Sequence, residues 1–177
     1  KTPEEIFDSA PAELSVYAFE GALALGSPSG VCLLEKGFFS QSQADRAIAA
    51  FKDPAVFKAA FGLKAAMHLL DFKAGESPAN FFELETASAL LGAGAGKRGP
   101  QDLIFEMLGL APAEKGSPEE KLLVCGRLGE LALKLKGELE AAGLREIYET
   151  LELPLTEPVY AMEKTGFMVD REMLGGL

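Results

Sequence analysis

Between residues 14 and 34 the polar and apolar positions follow the period-two rhythm of pleated strands. Leu14-Ser-Val-Tyr-Ala-Phe-Glu20 predicts a first strand, Ala22-Leu-Ala-Leu-Gly26 a second and Val31-Cys-Leu-Leu34 a third, with turn residues Ser27-Pro-Ser-Gly30 before the last. From Ser42 the rhythm becomes helical. Ala44, Ala47, Ile48 and Phe51 share one face, Ser42 is the expected N-cap, and Asp53-Pro54 is the expected stop. Val56 to Phe61 then predicts a short strand, Leu63 to Leu70 a helix after Gly62, and Phe81-Phe82 a strand running into a helix with Leu84, Ala87, Leu90 and Leu91. The predicted order is β-β-β-α-β-α-β-α.

Gln101 to Leu108 predicts a further amphipathic helix, followed by a loop over Ala111 to Gly116. Ser117-Pro-Glu-Glu120 is a strong helix start: Ser117 caps, Pro118 suits the first turn, and Glu120 is expected to close a capping box. Leu128, Leu131, Leu135 and Leu139 then fall on one face, away from most of Lys134, Lys136, Glu138 and Glu140, so this stripe is expected to pack on the sheet. In Gly92-Ala-Gly-Ala-Gly-Lys-Arg-Gly-Pro100, residues Gly94, Gly96 and Gly99 satisfy GxGxxG, with Glu119 twenty residues beyond. A dinucleotide fingerprint must follow a strand, however, and this segment follows a helix and ends at Pro100. It fails equally as a phosphate loop, because Leu91 stands at the first glycine position and Arg98 where a magnesium-binding hydroxyl belongs. A surface loop is the expectation.

Composition narrows the choice of function. The chain has 177 residues, 48% apolar and 25% charged, enough hydrophobic material for a core and too much for a disordered acidic tail. Its formal net charge of −10 opposes approach to a phosphate backbone, so DNA is expected to be bound only weakly. Cys32 and Cys125 lie far apart without zinc spacing and read as buried thiols of a reducing cytoplasm. No apolar run reaches the roughly 18–20 residues of a membrane span, and a cytoplasmic location is expected.

The segment from Glu152 to Asp170, Glu-Leu-Pro-Leu-Thr-Glu-Pro-Val-Tyr-Ala-Met-Glu-Lys-Thr-Gly-Phe-Met-Val-Asp, closely resembles the join between the 3'-5' exonuclease-type and polymerase domains of bacterial family A DNA polymerases. Its physical reading is a helix started by Pro154, carrying Val159 and Met162 on one side and stopped by Gly166, with Asp170 capping the next. The resemblance extends back through Gln101 to Gly109, Phe82-Glu83, Phe61-Gly-Leu-Lys64 and Val16-Tyr-Ala-Phe19. It implies an α/β, ribonuclease H-like fold, a mixed five-stranded sheet flanked by helices, with a C-terminal helical stub. Residues 1–150 are then the exonuclease-like domain, and 151–177 the start of a polymerase domain. That polymerase domain, in the same parent chain, is the implied partner.

Active members of that family hold two divalent metal ions with an Asp-x-Glu on the first strand, an Asp in a second motif and an Asp in a Tyr-x-x-x-Asp on the last helix. Two hard cations need that density of carboxylates to activate water and stabilise a leaving oxygen. Here the resemblance puts Glu20 at the first position and Ala22 at the second, unless a shortened loop has removed the second. Ala66 matches the second-motif Asp. Near Val124 to Leu128 there is neither Tyr nor Asp, and Leu128 is nearest the third ligand position. No catalytic residue, metal or cofactor is therefore expected.

Glu20, Glu83, Glu85 and Glu130 could instead form a rearranged metal site, against which stand their abundance in an acidic chain and the ordinary fate of such groups on solvated faces. His68 invites a general-base role but has no evident Ser or Cys partner, and reads as a packed or surface histidine. Three functions compete: a catalytically inactive scaffold for a DNA-directed DNA polymerase, a residual metal-dependent exonuclease on single-stranded DNA, and an independent acidic interaction module. The joining segment favours the first and implies that Leu155, Val159 and Met162 are less buried than the Leu128 stripe.

Overall fold

The computed structural model describes residues 1–73, 75–92 and 98–166. Strands β1 (Glu13–Phe19), β2 (Ala22–Ser27) and β3 (Gly30–Glu35) form an antiparallel meander, and β4 (Phe57–Phe61) and β5 (Phe81–Glu83) add in parallel, giving the order β3-β2-β1-β4-β5. Helices α1 (Pro3–Asp8), α2 (Gln41–Lys52), α3 (Leu63–Leu69), α4 (Leu84–Leu91), α5 (Pro100–Leu108), α6 (Pro118–Ala141), α7 (Arg145–Ile147) and α8 (Thr156–Thr165) surround it. The mixed five-stranded sheet flanked by helices is the architecture the resemblance implies.

Alternation along the strands splits the core in two. Leu14, Val16, Leu23, Leu25, Cys32, Leu34 and Ala60 point toward α1, α2, α3 and α8, whereas Tyr17, Ala24, Ala59 and Phe61 point toward α4, α5 and α6. On α6, Leu128, Leu131, Leu135 and Leu139 are at most 1% exposed; each contributes roughly 1.5–3 kcal/mol of transfer free energy. Lys58 is buried within β4, its Nζ donating to the carbonyls of Asp53 and Ala79, the latter at 2.6 Å. Burial lowers its pKa to about 8.

Several boundaries differ from the sequence expectation for identifiable reasons. Helix α2 is capped by Ser40, not Ser42: the Ser40 hydroxyl accepts from the Gln43 N–H, and the Gln43 side chain accepts from the Ser40 N–H. Helix α1 was not expected, yet Thr2-Pro-Glu-Glu5 makes the same reciprocal box. At α6, Ser117 caps as expected, but the Glu120 carboxylate reaches one residue further back and accepts from the Gly116 N–H. Pro154 does not start α8. Lacking an N–H and crowding the turn before it, it sits in a 3-10 turn (Leu153–Leu155) behind a π-turn (Tyr148–Glu152), and α8 begins at Thr156. Gly166 ends α8 at φ 65°, as expected, while Asp170 and most of the Gly92–Pro100 segment lie outside the described residues. Tyr160 anchors α8 in the same core as α3, donating to the Phe72 carbonyl at 2.6 Å.

Candidate functional site

Strands β1, β4 and β5 run parallel, so their C-terminal ends share one edge, and every position the resemblance singles out except Leu128 lies near it. Glu20 and Gly21 form the two-residue turn from β1 into β2. Both have positive φ, and Phe19 pairs with Ala22 across the turn. Glu20 is exposed; Ala22 is the first residue of β2, 7% exposed and locked into the ladder. There is no loop here that could carry a second carboxylate inward.

Beside it, β4 passes into α3 through Gly62 at φ 81°, where a side-chain carbon would stand 3.2 Å from the Ala18 carbonyl oxygen. Ala66, one turn into α3, is completely buried in the core it forms with the α1–α2 side of the sheet. The residue that the resemblance matches to the second-motif Asp thus ends in a methyl group closed off from solvent.

Helix α6 runs antiparallel to β1. Gly129 packs beside Glu13, the Cys125 thiol lies 3.7 Å from the Ser15 carbonyl oxygen, and Lys121 reaches the end of the strand. Leu128 is wholly buried seven residues beyond Lys121, about 10 Å further along the helix axis, and does not reach the Glu20 edge. The α6 side chains that do include Lys121. Its ammonium lies 4.4 Å from the centre of the Phe19 ring and 5.8 Å from that of Tyr17, and 3.2 Å from the Glu120 carboxylate. Burial, Glu120 and Glu20 together push Tyr17 up to about 12. Glu20, Ala22, Glu35, Lys36, Phe38 and Lys121 line a shallow pocket of about 440 Å³.

The other carboxylates have separate roles. Glu83, expected on a solvated face, is instead buried at the end of β5. Its carboxylate accepts from the Gly62 N–H at 2.9 Å, the Leu63 N–H at 3.4 Å and the Thr86 N–H at 2.6 Å, capping α3 and α4 together. Its backbone exchanges two hydrogen bonds with the buried Tyr148 hydroxyl, at 2.8 and 3.0 Å. Burial raises the Glu83 carboxyl above its ordinary range, against the opposing pull of those N–H groups. Glu85 lies in the first turn of α4, on a groove of about 870 Å³ between α3, α4 and α8, and Glu130 pairs with Arg127 at 3.3 Å on the exposed side of α6. His68 packs against the tilted ring of Tyr160 and places Nε2 2.9 Å from Glu163, whose carboxylate also meets Lys64; Lys64 and His68 pull the Glu163 carboxyl below its ordinary range.

Among the described residues, no three or more His, Cys, Asp or Glu side chains converge. The positions the resemblance matches to ligands at this edge, Glu20, Ala22 and Ala66, offer a single carboxylate with the Lys121 ammonium nearby, and that set does not fit a two-metal centre, since an ammonium supplies no lone pair and repels a divalent cation. Among the described residues no helix is long and apolar enough to cross a membrane.

No family model matches the chain, and no curated protein matches it. Solved structures do. The POL domain of Pol1 from M. smegmatis, in complex with DNA primer-template and dNTP, superposes with a TM-score of 0.78 at 20% identity over 99% of this chain. This chain spans only 33% of that one. Escherichia coli RNase D, an exoribonuclease, gives 0.65 at 16% identity over 90% of this chain and 48% of its own. A nuclease in its apo form gives 0.61 at 18% identity over 92% and 85%. The chain therefore has the ribonuclease H-like fold of 3'-5' exonuclease-like domains.

Proposed function

We propose that this chain is the exonuclease-like domain of a family A DNA polymerase in which the nuclease centre is no longer built, leaving a scaffold for the polymerase domain of the same parent chain. The observation that supports the reading is at the end of β1, where Lys121 of α6 brings a cation against Phe19 and Tyr17, while Leu128, which the resemblance puts nearest the third ligand position, is buried further along the helix. Ala22 and Ala66, both buried, remove two further ligands. The likeness to a polymerase chain over nearly the full length, including α8, supports the assignment to a polymerase over a free-standing nuclease. Replication or repair synthesis belongs to the polymerase part in this reading, and with a net charge of −10 the domain itself holds DNA only weakly.

The test is direct. Purified chain incubated with a single-stranded oligonucleotide and magnesium or manganese should release no mononucleotides. Metal-dependent release that survives repurification and disappears in Glu20→Gln would replace this reading with a residual exonuclease.

A further inference from the structure

From Arg145 to Thr165 the backbone winds without a break through α7, the π-turn, the 3-10 turn and α8. Its inner side is anchored by Tyr148 and Tyr160, at 2% and 1% exposure. Its outer side is not polar. Ile147, Leu151, Leu155, Pro158 and Met162 follow at intervals of four, four, three and four, the spacing of a single helix face, and all are exposed, Leu151 at 59%, Leu155 at 52% and Met162 at 72%. A helix docked through one apolar side and open through another has a second surface to cover, since contiguous exposed apolar patches mark interaction sites.

The charges beside this stripe select the partner. Glu146, Glu149 and Glu157 are exposed along the run and Glu152 is half-buried. The cations nearby are already engaged: Arg145 with Glu140 and Glu149, Lys164 with Asp71. Arg145 offsets only one of the two carboxylates it meets, and Glu146, Glu152 and Glu157 have no ion pair among the described residues, so the border is net negative, and two copies of this chain would bring like charges together, each molecule carrying a net −10. The adjoining groove between α3, α4 and α8 shares Leu155 with the stripe; of its lining carboxylates Glu83 is buried and Glu163 is paired with Lys64 and His68, so the charge at this face comes from the stripe's own border.

We propose that this face docks an amphipathic helix whose apolar stripe is flanked by lysine and arginine, in the manner of a helix laid along a complementary helix face. The inference is argued from the surface and rests on the polymerase reading for the helix's source, which in that reading is the polymerase domain of the same parent chain; peptide binding and oligonucleotide cleavage test the two separately.

A fluorescein-labelled helical peptide of leucine and lysine is the probe, with a leucine–glutamate peptide of the same pattern as control. Anisotropy titration should give saturable binding of the lysine peptide only. The variant Leu151→Ser/Leu155→Ser/Met162→Ser should weaken it by about tenfold or more, a loss of about 1.4 kcal/mol, while Leu133→Ser, an exposed apolar change elsewhere on α6, should leave it unaltered. Should the triple variant lose its folding transition, Met162→Glu alone carries the test and must still weaken binding. The proposal is overturned by no binding of the lysine peptide, by equal binding to wild type and stripe variant, or by equal binding of the glutamate peptide. Concentration-dependent self-association abolished by the triple variant would overturn it in favour of a second copy. Tighter peptide binding after truncation at Gly166 would do so in favour of the chain's own C-terminal residues.

Discussion

Glu20 and Glu83 both close strands on the same edge of the sheet, and their surroundings give them opposite standing. Glu20 lies in a two-residue turn, exposed, without a hydrogen bond among the described residues. Glu83 is 5% exposed, accepts three backbone N–H bonds and caps two helices at once. A carboxylate's role here follows from what donors the backbone brings to it. Where helix N-termini converge, the carboxylate is structural; where the turn brings no donors to it, it stands exposed at the surface.

The largest effect expected from this comparison comes from Glu83→Ala. It leaves the Gly62 and Thr86 N–H groups unsatisfied in a buried site and opens a cavity, so stability should fall by about 3–5 kcal/mol in urea denaturation; a loss under about 1 kcal/mol would show that water replaces the carboxylate freely. Next comes Ala66→Asp. One added carboxylate completes neither metal, so it should restore no cleavage of single-stranded DNA, while burying an unpaired polar group should cost about 1–3 kcal/mol. Robust cleavage by that variant would reveal surviving ligands elsewhere.

The pH response of Glu83 is a further test. Burial raises the folded-state pKa of Glu83 above its ordinary 4.5. The folded chain then holds more protons than the unfolded one above pH 4.5, so this contribution to stability is full below pH 4.5 and lost as pH rises through the folded value. Denaturation curves of Glu83→Gln across this window should lack that decline, and an unchanged pH slope would contradict the buried-acid account. The smallest effect is Glu20→Gln, expected within about 0.5 kcal/mol of wild type; a loss comparable to that of Glu83→Ala would make the two residues equivalents and dissolve the comparison.

The sequence discloses these regions unequally, for physical reasons. Alternation along residues 14–34 is enough to place both core layers, because a strand's period of two assigns each side chain to a face. The Leu128 to Leu139 stripe is equally plain. The start of α1 was available too: Thr2-Pro-Glu-Glu5 has the same pattern as Ser117-Pro-Glu-Glu120, but six residues offer little periodicity to draw the eye. Glu83 could not be read as a double cap, since its donors come from Gly62, Leu63 and Thr86 and meet only when β4 and β5 pair. Lys121 was hidden differently. Periodicity shows which face of α6 is buried but not which turn lies beside the end of β1, so nothing along the chain singles out Lys121.

The central claim is that the edge where β1 ends no longer forms a metal centre, and calorimetric titration with manganese addresses it most directly. The wild-type chain should show no saturable binding at sub-millimolar concentration, the heats being those of dilution and of weak screening of surface carboxylates. Saturable sub-millimolar binding that vanishes in Glu20→Gln would contradict the account.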